Sequence, residues 1–219
     1  VSVAFVAHTA ASGNVGNAQN PTLSLTVSGT NPVIVTDCAL DSTTATCTGC
    51  SWSLGSGASS EIVNARSSTA YGAIRAIPAP TGGAGTVTIN KSAAGVNHQL
   101  DASCFSGADQ TTPCPVADAQ SNTVAATTRT LTPTNLVSGD ASHGMAVNTV
   151  ADNPNSVTTN QRYLDSSTSV NAEIGDSANT TGVTFGHDFG TGNHAYVAVR
   201  IQQPAAPATP ASRPMFRGH

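Results

Sequence analysis

Residues 183–201 read Val183-Thr184-Phe185-Gly186-His187-Asp188-Phe189-Gly190-Thr191-Gly192-Asn193-His194-Ala195-Tyr196-Val197-Ala198-Val199-Arg200-Ile201. Alternation with period two places every second side chain on one face of a strand. The Gly- and Asn-rich middle supplies bend residues. The stretch therefore predicts a closing hairpin that returns to a β core.

The same pattern extends to the other end of the chain. Val1, Val3, Phe5 and Ala7 are expected on one face of a first strand, and Leu23, Leu25 and Val27 on one face of a second. Ser28-Gly29-Thr30-Asn31-Pro32 reads as a turn into a strand at Val33–Val35. Further strands are expected at Glu61–Ala65, Tyr71–Ile77, Thr86–Asn90, Leu100–Phe105, Thr123–Thr130, Gly144–Val150 and Ala172–Ile174. No segment carries a sustained apolar stripe with helix period. The expected class is all-β, an antiparallel β-sandwich or jelly roll over residues 1–203, with no repeat at a fixed short period.

From Pro204 the alternation stops, and the last sixteen residues, 204–219, hold four prolines. Proline fixes φ and stiffens the chain toward polyproline II. An extended C-terminal tail is expected, able to reach a neighbouring subunit and plant Met215 and Phe216 there.

Charged residues make up 9% of the chain, against about 25% in an average globular protein. Disordered chains are typically charge-rich and poor in β-branched residues, whereas Val and Thr recur here. An ordered, neutral-polar sheet surface accounts for the composition. The net charge of −4 is spread without a run of Lys or Arg, which argues against a nucleic-acid partner. Apolar runs are short and the N-terminal segment lacks the charged-then-apolar pattern of an export signal, so neither a membrane span nor a leader is expected.

The cysteines are Cys38, Cys47, Cys50, Cys104 and Cys114. Cys47 and Cys50 form a CxxC without the second ligand pair that a zinc site requires. Cys104 falls at an inward-facing strand position, where a core thiol is the default. A Cys104–Cys114 or a Cys47–Cys50 bridge is open, and an odd count leaves at least one thiol unpaired within the monomer. Of the histidines, only His187-Asp188 with His194 approaches a metal-like grouping, and flanking glycines make it an ordinary loop. No nucleophile elbow, carboxylate pair or Ser–His–Asp set stands out. The expectation is no catalytic residue, no cofactor and no metal.

One run is specific. Asp101-Ala102-Ser103-Cys104-Phe105-Ser106-Gly107-Ala108-Asp109-Gln110-Thr111-Thr112-Pro113 resembles the "SFSGVDQTTP" element of a group of β-sandwich proteins and modules from bacteria and tailed phages. Cys50-Ser51-Trp52 is similar to that group's Thr-Trp strand end. Ala73-Ile74-Arg75-Ala76-Ile77-Pro78-Ala79-Pro80 with Gly85-Thr86-Val87-Thr88-Ile89 is similar to its "LWYLxNPPAGTxTVTV" hairpin. The likeness covers most of residues 1–203, with smaller residues replacing the aromatic pair before Pro78, and Cys104 and Cys114 standing where the group has Ser and an aliphatic residue. The element itself has a structural reading: Ser103 and Phe105 share a face, Gly107 bends the chain, and Asp109 caps backbone amides in an Asx-turn.

What the resemblance implies is a non-enzymatic structural protein of a bacteriophage particle. The expected role is a capsid decoration or cement protein, or another head or tail surface component, made in the host cytoplasm and carried on the virion surface. Its expected partners are the major capsid protein or another virion lattice protein and further copies of itself, as a homo-oligomer such as a trimer. Val1, Val3, Phe5, Met215 and Phe216 are the expected contacts, because termini and strand edges offer unpaired backbone groups. The alternative is a carbohydrate-binding or adhesion module, for which Trp52, Tyr71, Tyr163 and Tyr196 are the aromatic residues at hand.

Overall fold

The computed structural model describes residues 2–13, 19–149, 154–157, 160–165, 170–178, 181–187 and 192–206. Its strands are β1 (Ala4–Gly13), β2 (Thr22–Val27), β3 (Val33–Asp41), β4 (Cys47–Trp52), β5 (Ser60–Ser67), β6 (Ala70–Pro78), β7 (Gly83–Lys91) and β8 (His98–Ser106). A 3₁₀ turn at Val116–Asp118 follows. Then come β9 (Gln120–Asn122), β10 (Thr128–Leu131), β11 (Ala141–Asn148), β12 (Pro154–Val157), β13 (Asn160–Asp165), β14 (Asn171–Ala178), β15 (Val183–His187) and β16 (His194–Ile201). The fold is all-β and its strand pairs are antiparallel. Among the described residues no helix is long and apolar enough to cross a membrane.

Four sheets stack as layers. A three-stranded sheet, β2-β7-β4, covers one face of a five-stranded sheet, β1-β8-β3-β6-β5, through Leu23, Leu25, Val27, Ile34, Leu40, Trp52 and Leu100. The other face of that inner sheet packs on a second five-stranded sheet, β13-β14-β11-β16-β9, through Val33, Val35, Ile74, Phe105, Met145, Val147, Val197 and Val199. The second inner sheet is covered in turn by β10-β15-β12, through Leu131, Val183, Phe185 and Tyr196. Each inner sheet is buried on both faces, so Val33–Leu40 and Ala141–Asn148 are buried at every position while their side chains still alternate between layers.

The second eight strands repeat the order of the first. Raising each number in β1-β8-β3-β6-β5 by eight gives β9-β16-β11-β14-β13, and β2-β7-β4 becomes β10-β15-β12. Register irregularities recur as well: β5 against β6 matches β13 against β14, and β4 against β7 matches β12 against β15. Such bulges bend a strand and sharpen its twist, so both sets curve at the same places.

Several expectations need correcting. Val183–His187 and Ala195–Ile201 do not form a hairpin: β15 pairs with β10 and β12 in an outer sheet, and β16 pairs with β11 and β9 in an inner one. The two strands flanking Pro78-Ala79-Pro80 likewise lie in facing sheets. Alternation identifies a strand but carries no information on which strand it pairs with. Val3, Phe5 and Ala7 do not share a face, because the register slips between Phe5 and Ala7; Phe5 packs toward the central core and Ala7 toward the outer one. The strand expected at Thr123–Thr130 is two short pieces, Gln120–Asn122 and Thr128–Leu131, in different sheets.

Candidate interaction surface

The Phe105–Pro113 run leaves β8 and crosses to the second strand set. Gly107, at φ 74°, turns the chain in the left-handed region that glycine enters without strain. The Gly107 and Ala108 amides then donate to the Thr30 and Asn31 carbonyls of the β2–β3 turn at 2.7 and 3.1 Å. The Asp109 carboxylate accepts the Thr111 and Thr112 amides at 2.8 and 2.7 Å, the Asx-turn expected of it. Gln110 Nε2 donates to the Pro32 and Ala108 carbonyls.

The same loop holds the end of β16. The Asp109 amide donates to the Gln202 carbonyl at 2.8 Å, and the Gln202 amide returns to the Pro113 carbonyl at 2.9 Å. Gln202 Nε2 adds a bond to the Thr112 carbonyl. The most specific motif of the sequence is thus a latch between the two strand sets.

Beside the latch, Arg200 bridges two buried carboxylates, Nε to Asp140 at 2.7 Å and Nη1 to Asp118 at 2.8 Å. Asn135 also donates to Asp118, and the Gln203 amide to Asp140. Burial alone would raise the Asp118 carboxyl, but hydrogen bonds from Asn135 and Arg200 hold it below its usual value. Such a satisfied network fixes local geometry. It sets the course of Gln202–Ala206, the last described residues, along a groove of ≈ 270 Å³ that Asp109, Val137 and Arg200 also line. Across the latch loop lies a second groove, of ≈ 190 Å³, lined by Ile62, Pro78, Thr112, Pro113 and Val116. Val137 and Val116 are 48% and 61% exposed, two of the four large exposed apolar side chains among the described residues.

The expected N-terminal contacts turn inward. Val3 is buried in the central core, with its amide on the Gly139 carbonyl at 2.7 Å. Phe5 is half-buried, edge-on to Phe105 and capped by the Arg162 guanidinium at 3.5 Å. Val3 offers no exposed face, whereas Phe5 is partly exposed. Val1, Met215 and Phe216 lie outside the described residues.

A wider groove of ≈ 530 Å³ runs between β1 and β2, lined by His8, Thr9, Ser24, Thr26 and Thr86. His8 Nδ1 lies 3.2 Å from Asp101, whose hydrogen bond and charge raise the imidazole pKa. Ser103 completes a superficial likeness to a hydrolase triad. Its hydroxyl is buried and donates to Asp101, however, so no base activates it.

All five cysteines are buried free thiols. Cys104 and Cys114 lie on opposite faces of the β1-β8-β3-β6-β5 sheet, in the outer and the central core respectively, so they cannot be bridged. Burial pushes the Cys114 thiol up to about 12. Cys47 and Cys50 both turn inward on β4, where the register shifts between Cys47 and Gly49, and both are free thiols. The His187 side chain and Asp188 lie outside the described residues. Among the described residues no group of three or more metal-ligating side chains converges.

Two interior features were missed in the sequence. Lys91 is buried, its Nζ 2.9 Å from His98 Nδ1 and 3.2 Å from the Val96 carbonyl, and burial lowers both groups' pKa values. The parity of Val87, Ile89 and Lys91 already placed that lysine inward. The second feature is a buried pair, Asp37 on β3 and His143 on β11, joined at 2.7 Å across the central interface. Nothing local in the sequence connects residues so far apart. No family model, no curated protein and no solved structure matches this chain.

Proposed function

We propose that this chain is a non-enzymatic structural protein of a phage particle, a capsid decoration or cement protein whose C-terminal tail engages the particle lattice. The observation that carries the reading is the tail's exit. The latch and the Arg200 clasp fix Gln202–Ala206 along a groove that Val137 also lines, and Val116 stands exposed at a second groove beside the latch loop. On this reading a hydrogen-bonded root raises the effective concentration of the segment that follows it at a neighbouring site.

On this reading each set of eight strands is a jelly roll, since the order 1-8-3-6 facing 2-7-4 is that of two Greek keys. Further support comes from the outer face of β2, where Thr22, Ser24 and Thr26 are partly or fully exposed while Leu23, Leu25 and Val27 are buried. Burial of Trp52, Tyr71 and Tyr196 removes most of the stacking platform that a carbohydrate-binding module would use.

The test is to mix the purified chain with particles lacking it and image them by cryo-electron microscopy. Regular extra density at lattice positions, lost when residues 207–219 are deleted, is the expected result. Bare particles with the intact chain would overturn the proposal, and saturable binding on a glycan array would then favour the adhesion reading.

A further inference from the structure

The groove at Val116 is formed before anything binds in it. Ile62, Ala76, Pro113 and Cys114 are its buried apolar lining, and among the described residues no charged side chain lines it. Ile62 is the extra residue of a bulge in an edge strand, because Glu61 pairs with Arg75 and Val63 with Ile74. A bulge re-aims the side chain it carries. The other lining segments are pinned by backbone bonds: the Pro113 carbonyl accepts the Gln202 amide at 2.9 Å, and the Pro78 carbonyl accepts the Gly57 amide at 2.9 Å. The 3₁₀ turn that starts at Val116 is closed by the Ala119 amide at 3.2 Å, and its Asp118 is held by Arg200 and Asn135. Val116 itself is 61% exposed, so the groove ends in an uncovered aliphatic rim. An apolar cavity of about 150 Å³ admits benzene, and a groove of ≈ 190 Å³ therefore takes one large side chain such as Phe or Met.

The sequence holds a segment of matching chemistry. Arg213-Pro214-Met215-Phe216-Arg217 sets two large apolar residues between two cations. Two of the chain's eight Lys and Arg, and none of its twelve Asp and Glu, fall in residues 204–219, so residues 1–203 hold six against twelve, a net charge of −6. A basic segment on an acidic body is drawn to another copy of that body, and attraction of this kind steers encounter more than it sets affinity. Reach selects a different copy from the segment's own. Ala206 lies at the first groove, across the latch loop from this one. Pro207, Pro210 and Pro214 favour polyproline II at about 3.1 Å per residue, so the sequence predicts a span of roughly 30 Å from Ala206 to Phe216. A span of that length overshoots the groove of its own chain, one loop's width away, and reaches a groove on an adjacent copy.

We propose that the Ile62–Val116 groove receives Met215-Phe216 of a second copy of this chain, so that each copy offers a cleft and inserts a tail. The inference rests on the tethered-tail part of the particle reading and names the tail's partner, but it needs no particle. Phe216 fills the cleft, Met215 covers the Val116 rim, and Arg213 and Arg217 stay at the edge in water, where they speed association and make it sensitive to salt. The hydrogen-bonded walls keep the cost of ordering the cleft low, which is what allows a short anchor to bind at all.

The experiment uses the full chain with photo-reactive benzoylphenylalanine in place of Phe216, as an equal mixture of unlabelled and isotope-labelled protein, irradiated and mapped by peptide mass spectrometry. Cross-links should join residue 216 to peptides holding Ile62 or Pro113–Val116, half of them between chains of unlike isotope content. Sedimentation of the unmodified chain should show an oligomer that dissociates on dilution. Val116→Lys, at a position too exposed to disturb the fold, should weaken that association by about tenfold or more, while Val116→Ile should preserve it. Cross-links confined to single chains, cross-links elsewhere on the body, or a monomer at every concentration would each overturn the proposal. Linked copies in solution together with bare particles would uphold it and remove the particle reading, whereas decorated particles from a chain that stays monomeric and unlinked would do the reverse.

Discussion

Replacing His143 with alanine strands the Asp37 carboxylate in the central interface. Both side chains are fully buried and share one 2.7 Å contact, and neither Asp37 Oδ1 nor His143 Nδ1 has another hydrogen-bond partner among the described residues. Removing one member of such a pair costs about 3–5 kcal/mol. For a chain of this length each kcal/mol moves the melting midpoint by about 2–4 °C, so a drop of roughly 6–20 °C is expected in scanning calorimetry at pH 6. Replacing both residues by leucine removes the charges and refills much of the volume, and should recover most of the loss.

The pair also sets a pH dependence. Burial pulls the His143 pKa down, but the charge and hydrogen bond of Asp37 outweigh it and leave the imidazole above its usual 6.5. A raised folded pKa gives stability that is complete below the unfolded value and is lost as pH rises through the folded one. Wild-type stability should therefore fall, by at most about 1.4 kcal/mol per pH unit, as pH rises from 6.5 through the raised folded pKa. His8, also raised, contributes in the same sense, so the informative quantity is the slope relative to the double-leucine variant. A His143→Ala loss below about 1 kcal/mol, or equal slopes in the two proteins, would refute the reasoning.

Asp109→Ala removes the acceptor of two backbone amides in the latch and should cost about 1–3 kcal/mol in urea unfolding, with Asp109→Asn losing less. Phe105→Ala opens a cavity beside Phe5 and His143, and a loss of about 3–5 kcal/mol is expected from the shift in denaturation midpoint. At Gly182 a Cβ would collide with the Leu131 carbonyl oxygen, so Gly182→Ala should lower the melting temperature, whereas truncating the exposed Val124 should leave it nearly unchanged.

The sequence revealed strands far better than it revealed partners. Leu23, Leu25 and Val27 face inward as their alternation predicts, and Gly107 and Asp109 form the bend and the Asx-turn read from the motif. Layering was hidden, because the inner strands are filled with Ala, Gly, Ser and buried polar side chains such as Asp37, Asp101 and Ser142. A strand covered on both faces usually shows a continuous apolar run. β8, β11 and β14 do not, and alternation alone could not reveal a second covered face. Part of the scarcity of surface charge has the same origin, since Asp37, Asp101, Asp140, Glu173 and Lys91 are inside. The candidate surface was legible in its latch residues. Its grooves were not, because they depend on the return of β16 to a loop about ninety positions earlier in the chain.

The pairing of β1 with β8, which sets Ala4 opposite Ser106, has a consequence for how the chain folds. Loop closure of that length costs entropy before any contact across it forms, which places such topologies among slow folders. On the ribosome the first inner sheet can close once residue 106 has emerged. Its second face, bearing Val33, Val35, Ile74 and Phe105, then stays exposed until β11, β14 and β16 arrive to cover it. That interval is when the nascent chain is most prone to self-association, and faster synthesis at higher expression places more chains in it at once.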